Sequence, residues 1–384
     1  MHTLHEPDSH IPLNDTETPF AGVPRIVIET EKHTEVLDCV NEIPAHLQIY
    51  GSNSAITDVY PITIRGRGNT SWEGTDKKSY KIELTEKVSL LDMPKNKDWA
   101  LISNFSDKTL MKNYIVYKLA RKIGLPHTPR ASFAELYLNG EYLGLYTLTE
   151  TIKVGKNRVN IPENDQSYLV EIDNKYRKNE IVIFSDMDMP FRIHFPKKAD
   201  KKSQVRLLKH LNDFENYLAH IDSSKENHVE EWIDIENYVK HYWIQELTKN
   251  PDGGFFSSVF FTWQEGGVIQ MGPVWDFDLS LGGHTNNKVN TVDGFHIRGA
   301  YWNEYIFKDE KFGWEINKIW HQYKKDFESI LDSMDACKKR IEKAAIQNFK
   351  RWPDITDDYD KSVEETKLWL SNRIKWLEKV VPEP

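Results

Sequence analysis

Cysteine is almost missing from this chain, with two residues, Cys39 and Cys337, among 384. They lie too far apart for a cysteine metal motif and are too few for a disulfide framework. A chain this long buries enough surface to fold without staples, so the redox compartment stays open. Long apolar runs are also lacking. No stretch reaches the roughly 18 residues that a membrane span requires. Met1 to Asn14 is polar and has no apolar signal-peptide segment. Such a start suits a soluble cytosolic protein, or a secreted or cell-envelope protein whose signal has been removed. Basic blocks are scarce, and Lys197-Lys198 and Lys201-Lys202 read as solvated linker. With 50 Lys+Arg against 59 Asp+Glu and a net charge of -9, a nucleic-acid partner is disfavoured. The same acidity would suit a basic protein substrate. The 14 histidines show no His-x-x-x-His or Cys/His spacing, which argues against zinc. No Gly-x-Ser-x-Gly elbow is present, which disfavours an α/β hydrolase.

What is abundant is aromatic surface. The chain has 12 Trp, 17 Tyr and 17 Phe, large packing units that read as core rather than as a sugar platform. Residues 1–21, rich in His, Pro, Asp and Thr, read as a disordered arm. Runs rich in β-formers follow at Pro24–Glu31, Ala45–Tyr50, Pro61–Arg65 and Ser79–Leu84. An apolar stripe over Asp107–Ile123 predicts a helix, begun by Ser106-Asp107 and stopped before Gly124 and Pro126. Asn139-Gly140 between two apolar runs predicts a type I′ hairpin. Further strands are expected at Tyr168–Ile172, Glu180–Phe184 and Phe191–Phe195, before a Lys-rich break at Pro196–Ser203. Beyond it, helices are expected at Gln204–His220 and Ile235–Leu247. A hairpin of Val259–Trp263 with Val268–Trp275 follows, and then helices to the end. Ser362 and Glu365 form a capping box for the last helix. The expected organisation is an arm at 1–21, a strand-rich half at 22–198 and a mainly helical half at 199–384, an α+β chain.

The chemistry-bearing residues fall in order along this plan. Arg65-Gly66-Arg67-Gly68-Asn69 follows a strand. Its glycines allow close backbone approach, and its arginines offer forked donors suited to phosphate. A tight turn is an equally good reading, and the loop is not a Walker A motif. Lys77, Lys78 and Lys81 lie just downstream, with Lys81 inside the strand and Lys78 at its start. Asp252, in a loop after a helix, has the position of a general base for a hydroxyl nucleophile, or of an ordinary turn former before Gly253-Gly254. Asp276 and Asp278 end the apolar run Gly272-Pro273-Val274-Trp275. In an extended segment, residues two apart face the same side, so both carboxylates would address one cation. A loop acid, a hairpin and then a strand-end acid is the order of catalytic base and metal ligand in kinase-like folds.

These residues together resemble the CotH kinase family, the spore-coat protein H kinases and their relatives. The signatures are Ile64-Arg65-Gly66-Arg67-Gly68-Asn69-Thr70-Ser71-Trp72, Lys77-Lys78-Ser79-Tyr80-Lys81-Ile82 and Ser106-Asp107-Lys108-Thr109-Leu110-Met111-Lys112-Asn113. The hairpin from Leu138 to Glu150, Tyr168-Leu169-Val170-Glu171-Ile172-Asp173, Asn250-Pro251-Asp252 and Gly272-Pro273-Val274-Trp275-Asp276-Phe277-Asp278 complete the set. The resemblance implies an atypical protein-kinase-like, two-lobed fold with a strand-rich N-lobe and a mainly helical C-lobe. It implies an enzyme that uses ATP and Mg²⁺ or Mn²⁺ to phosphorylate serine, or threonine, in a Ser-rich protein. Asp252 is then the catalytic-loop acid, and Asp276 and Asp278 are metal ligands. Arg65, Arg67, Asn69 and Lys81 (or Lys78) meet the phosphates, and Glu150 lies near the adenine. There are departures from the pattern. The helix expected after Asp107 has no Glu to pair with the site lysine, so Asp107 or another acid must substitute. His194 stands where relatives commonly carry lysine, and Ser257 or Ser258 where kinases often carry a metal-binding Asn. Glu246 is either structural or a bridge to a site lysine. The alternatives are a catalytically weak scaffold of a coat or surface, and an enzyme that transfers AMP or another group to protein.

Overall fold

The computed structural model describes residues 10–13, 17–51, 56–68, 70–222, 227–356 and 358–384. The chain divides into two compact units. One comprises Met1–Tyr114, Arg130–Thr151 and Ser333–Glu364, and the other Ile115–Pro129, Ile152–Asp332 and Glu365–Pro384. The protein is α+β, strand-rich toward the N-terminus and helical toward the C-terminus.

The first unit is built on a closed seven-stranded barrel in the order β1-β2-β3-β4-β5-β7-β6. The strands are β1 (Arg25–Thr30), β2 (Ile43–Tyr50), β3 (Tyr60–Arg67), β4 (Ser79–Val88), β5 (Asn96–Ile102), β6 (Ala131–Leu138) and β7 (Glu141–Glu150). Neighbours are antiparallel except at the seam, where β1 runs parallel to β6. Closure removes the exposed edges that an open sheet would carry. The alternation of each strand delivers Ile26, Leu47, Ile64, Ile82, Leu101 and Leu148 to a common core. The turn between β6 and β7 has Asn139 at φ 51 and Gly140 at φ 80, the positive pair that a type I′ turn demands. Part of the expected arm is ordered: Ile11 is buried against Val27 and Tyr137, and its N–H donates to Gln48 Oε1 at 2.7 Å. Strand β5 went unforeseen because Trp99, Ala100 and Leu101 are all buried, so no alternation marks it.

The second unit holds a five-stranded sheet in the order β12-β11-β8-β10-β9. These strands are β8 (Ser167–Ile172), β9 (Val182–Phe184), β10 (Pro190–Phe195), β11 (Val259–Gln264) and β12 (Gln270–Met271). β8 pairs with β11, so the sheet is assembled from both sides of the expected boundary at 198/199. Strand β12 is much shorter than the expected Val268–Trp275. Gly272 leaves the strand at φ 109, and Pro273 has no N–H to give the ladder.

The helices are α1 (Thr70–Glu73), α2 (Lys112–Lys122), α3 (Lys201–Ala219), α4 (Ile235–Thr248), α5 (Asn287–Asn290), α6 (Trp302–Ile306), α7 (Glu310–Glu328), α8 (Ile330–Arg351) and α9 (Tyr359–Val380). Two starts differ from expectation. Helix α2 begins at Lys112, because the buried Asp107 carboxylate accepts the Thr109 N–H and Oγ1–H and then the Lys112 N–H. Helix α9 is capped by Asp358, which accepts the Lys361 N–H at 2.8 Å, while Ser362 lies within the first turn. None of the helices among the described residues is long and apolar enough to cross a membrane.

Candidate functional site

In the first unit, the three downstream lysines have three different environments. Lys77 is fully buried, and its ammonium donates to Ser103 O (2.7 Å), Leu145 O (2.6 Å) and Asn348 Oδ1 (2.8 Å). It also lies 4.6 Å from the Tyr146 ring centroid. Burial pushes its pKa well below the ordinary lysine value. Lys78 is half-buried, donates to the Trp72 carbonyl at 2.5 Å and lies 5.4 Å from the Trp72 ring centroid. Lys81 sits between Glu83 at 3.0 Å and Asp98 at 3.1 Å. Burial pulls its pKa down, but the hydrogen bond to Glu83 and the Asp98 charge outweigh this, so it is raised and the ammonium stays charged. The acids that partner Lys81 thus come from its own strand and from β5. Asp107, one of the expected substitutes, instead holds the start of α2.

Arg65 is anchored within its own unit. Its Nη1 donates to Cys39 O at 2.7 Å and Gly66 O at 3.1 Å, and its Nε lies 3.6 Å from Glu42. Gly66 has a structural reason to be glycine: a Cβ there would come within 2.6 Å of the Trp72 ring and 2.7 Å of Asp38 O. Arg67 pairs in register with Ser79 and is half-buried. Asn69 lies outside the described residues. Glu150 is buried at the end of β7. Its carboxylate accepts the Arg130 N–H at 2.8 Å and pairs with the Arg130 guanidinium at 3.1 Å.

In the second unit, Asp252 follows α4 in a loop that is bolted down from several sides. Lys249 closes the helix at φ 43, and Asn250 Nδ2 donates to Gln245 Oε1 at 2.9 Å. The buried Glu246 carboxylate accepts from Arg373 (2.7 Å), His296 N (2.6 Å) and Ile297 N (2.9 Å), so Glu246 is structural. Lys249, donating to Thr291 O at 2.8 Å, has its pKa pushed down to about 8, by burial first and then by Arg373. Asp252 itself is half-buried, and its Oδ2 lies 3.0 Å from Lys175 Nζ. Oδ1 has no hydrogen-bond partner among the described residues.

Asp276 is exposed at φ 67, a left-handed conformation that non-glycine residues rarely adopt. Its flanks hold it there. Val274, Trp275 and Phe277 are buried, and the Tyr117 ring stacks on Trp275 at 5.7 Å and meets Phe277 edge-on at 6.3 Å. The expected extended segment is therefore interrupted: Asp276 takes a left-handed conformation and Asp278 stands in the turn that follows, so the two acids do not alternate along a strand. Asp278 is half-buried, and its Oδ1 accepts the Leu279 N–H at 3.1 Å. Lys249, Phe255, Ser258, Asp276 and Leu281 all have positive φ. Such a concentration of strained non-glycine residues is typical of functional loops.

A polar network on β8 and β10 adjoins Asp252. Glu171 Oε2 accepts from His194 Nε2 (2.7 Å) and Arg192 (3.3 Å), so His194 has a protein carboxylate for its partner. Asp173 accepts from Ser257 Oγ at 2.8 Å and lies 3.5 Å from Arg192. Lys175 and Arg192 escaped the sequence reading. The available signal was Glu171 and Asp173, two apart at the end of a strand and so on one face. Among the described residues, no group of three or more His, Cys, Asp or Glu is arranged to hold a metal by itself.

A barrel-bearing unit and an acid-lined loop in a second unit are joined here in one chain. The family model described as CotH kinase protein matches residues 64–377. The chain belongs to the CotH kinase family, and a kinase-like phosphotransferase is the class of activity this implies. No curated protein matched the chain.

Proposed function

We propose that this protein is an ATP- and divalent-metal-dependent protein kinase that phosphorylates serine or threonine hydroxyls, with the two-lobed arrangement of that class. The observation that carries the reading is Asp252: an accessible carboxylate with one oxygen on Lys175, in a strained loop anchored by Asn250, Glu246 and Lys249. Family membership supplies the reaction class. Asp276 and Asp278 offer hard carboxylate oxygens, the donor type that Mg²⁺ or Mn²⁺ takes alongside phosphate oxygens and water. The metal would neutralise charge on the transferring phosphoryl group. Lys78, Lys81, Arg65, Arg67 and Asn69 are assigned to the phosphates, and Glu150, clamped by Arg130, to the adenine side.

In this reaction the substrate Oγ bonds to the γ-phosphorus while the bond to the β–γ bridging oxygen breaks, and ADP leaves with the electron pair. Asp252 Oδ1 orients the hydroxyl and holds its proton. Asp252→Asn preserves shape but loses the acceptor charge. It should bind ATP nearly normally while transfer falls by about 100-fold or more. The test uses γ-labelled ATP, Mg²⁺ and a synthetic Ser-rich polypeptide. Normal transfer by this variant would remove Asp252 from the chemistry. Label arriving from α-labelled ATP instead would make the enzyme a nucleotidyl transferase.

A further inference from the structure

We infer that Lys175 is a positioning residue for Asp252, an inference that rests on the kinase reading above. The pair spans 77 residues of sequence and closes at 3.0 Å. Lys175 is delivered by a loop stitched to the segment that follows Asp252. Asn174 donates to Phe256 O from both its backbone nitrogen (2.9 Å) and its Nδ2 (2.8 Å). Asp173 Oδ1 accepts the Lys175 N–H and the Ser257 Oγ–H, each at 2.8 Å. The ammonium also lies 5.3 Å from the Phe256 ring centroid, which narrows the rotamers of a flexible side chain.

The Lys175–Asp252 ion pair itself does little for stability. The side chains of Lys175 and Asp252 are 41% and 23% exposed, and ion pairs this open contribute little to folding. What the arrangement does is orientation. With Oδ2 held by Lys175, the Asp252 carboxyl plane is fixed and Oδ1 is presented to an incoming hydroxyl. A reacting group displaced by 1 Å can cost about 100-fold in rate, so a freely rotating carboxylate would transfer more slowly without binding ATP less well.

The experiment compares Lys175→Met, Lys175→Arg and Asp252→Asn with the parent, using γ-labelled ATP, Mg²⁺ and a synthetic Ser-rich polypeptide. Lys175→Met should lower kcat about tenfold or more, leave the KM for ATP within about twofold, and shift Tm by no more than about 2 °C. Lys175→Arg retains the charge and should recover most of kcat. A Lys175→Met protein that turns over like the parent, beside a crippled Asp252→Asn, would overturn the role of Lys175 and leave the kinase reading standing. A loss of rate that only tracks a falling Tm would also overturn it. Full transfer by Asp252→Asn would overturn the reading beneath it.

Discussion

The Lys77 ammonium and the Asn348 side-chain carbonyl meet at 2.8 Å across 271 residues of sequence. Asn348, on α8, also takes the Leu145 N–H at 3.0 Å, so one amide oxygen serves the buried lysine and strand β7 together. No carboxylate is among the partners of Lys77 described above. Its charge is therefore supported by neutral acceptors alone, which makes each of them costly to lose.

Asn348→Ala should accordingly destabilise the protein by about 2–4 kcal/mol, because it strips an acceptor from a buried ammonium. Lys77→Met should also destabilise. In the double variant the two losses should not add, since the second change removes a group already deprived of its partner. Urea denaturation of the four proteins measures this. A loss below about 0.5 kcal/mol for Asn348→Ala would show that water replaces the amide.

Asp276→Asn should weaken ATP binding in the presence of Mg²⁺ and make it insensitive to chelator. Asparagine keeps the left-handed backbone accessible, so Tm should hardly change. Calorimetry with and without chelator provides the measurement. Affinity unchanged on both counts would take the metal away from this turn.

Lys81→Met should lower ATP affinity roughly 10- to 100-fold, the equivalent of a charged hydrogen bond of about 1.5–3 kcal/mol. It should also release Glu83 and Asp98 from their shared partner. Lys78→Met tests the neighbouring lysine in the same titration. The variant that loses affinity identifies the phosphate contact, and parental affinity in both would leave these lysines structural.

Burial pushes the His241 pKa down to about 4 from 6.5. Between those values the unfolded chain carries a proton on His241 that the folded chain does not. Stability should therefore fall as pH drops from about 6.5 toward 4, and this contribution is complete above about 6.5. The full effect of such a shift is about 3 kcal/mol, at about 1.4 kcal/mol per pH unit. His241→Gln should flatten the dependence of Tm on pH over this range, whatever it costs at neutral pH. An unchanged slope would assign the acid sensitivity to another group, such as His210, which burial also pushes down to about 4.

Local chemistry was enough to read much of the architecture. Asn139-Gly140 encodes its own turn, and the apolar spacing of α3 and α4 marks them within a few residues. The Asp252 loop and the end of the apolar run at Asp276 were likewise legible as places where regular structure stops. The geometry of Asp276 was not, because an apolar run ending in acids reads as a strand, whereas Gly272, Pro273 and the buried Trp275 and Phe277 turn the chain. Strand β5 is silent because both its faces are buried. The acid that partners Lys81 was left open between Asp107 and others, because Asp98 reaches it from β5, the strand that local pattern does not mark.

The sequence by itself determined that Lys77-Lys78-Ser79-Tyr80-Lys81 enters a strand and brings three cations close together along the chain. Only the tertiary structure decided what became of each one. Lys77 lost its water to Ser103, Leu145 and Asn348, Lys78 settled on Trp72, and Lys81 was shared by Glu83 and Asp98. The same division holds for Asp252, whose loop is legible locally but whose partner Lys175 comes from another strand end. The physical reason is common to both. A side chain's charge state and reach depend on what excludes water around it, and those neighbours arrive from segments that local pattern cannot connect.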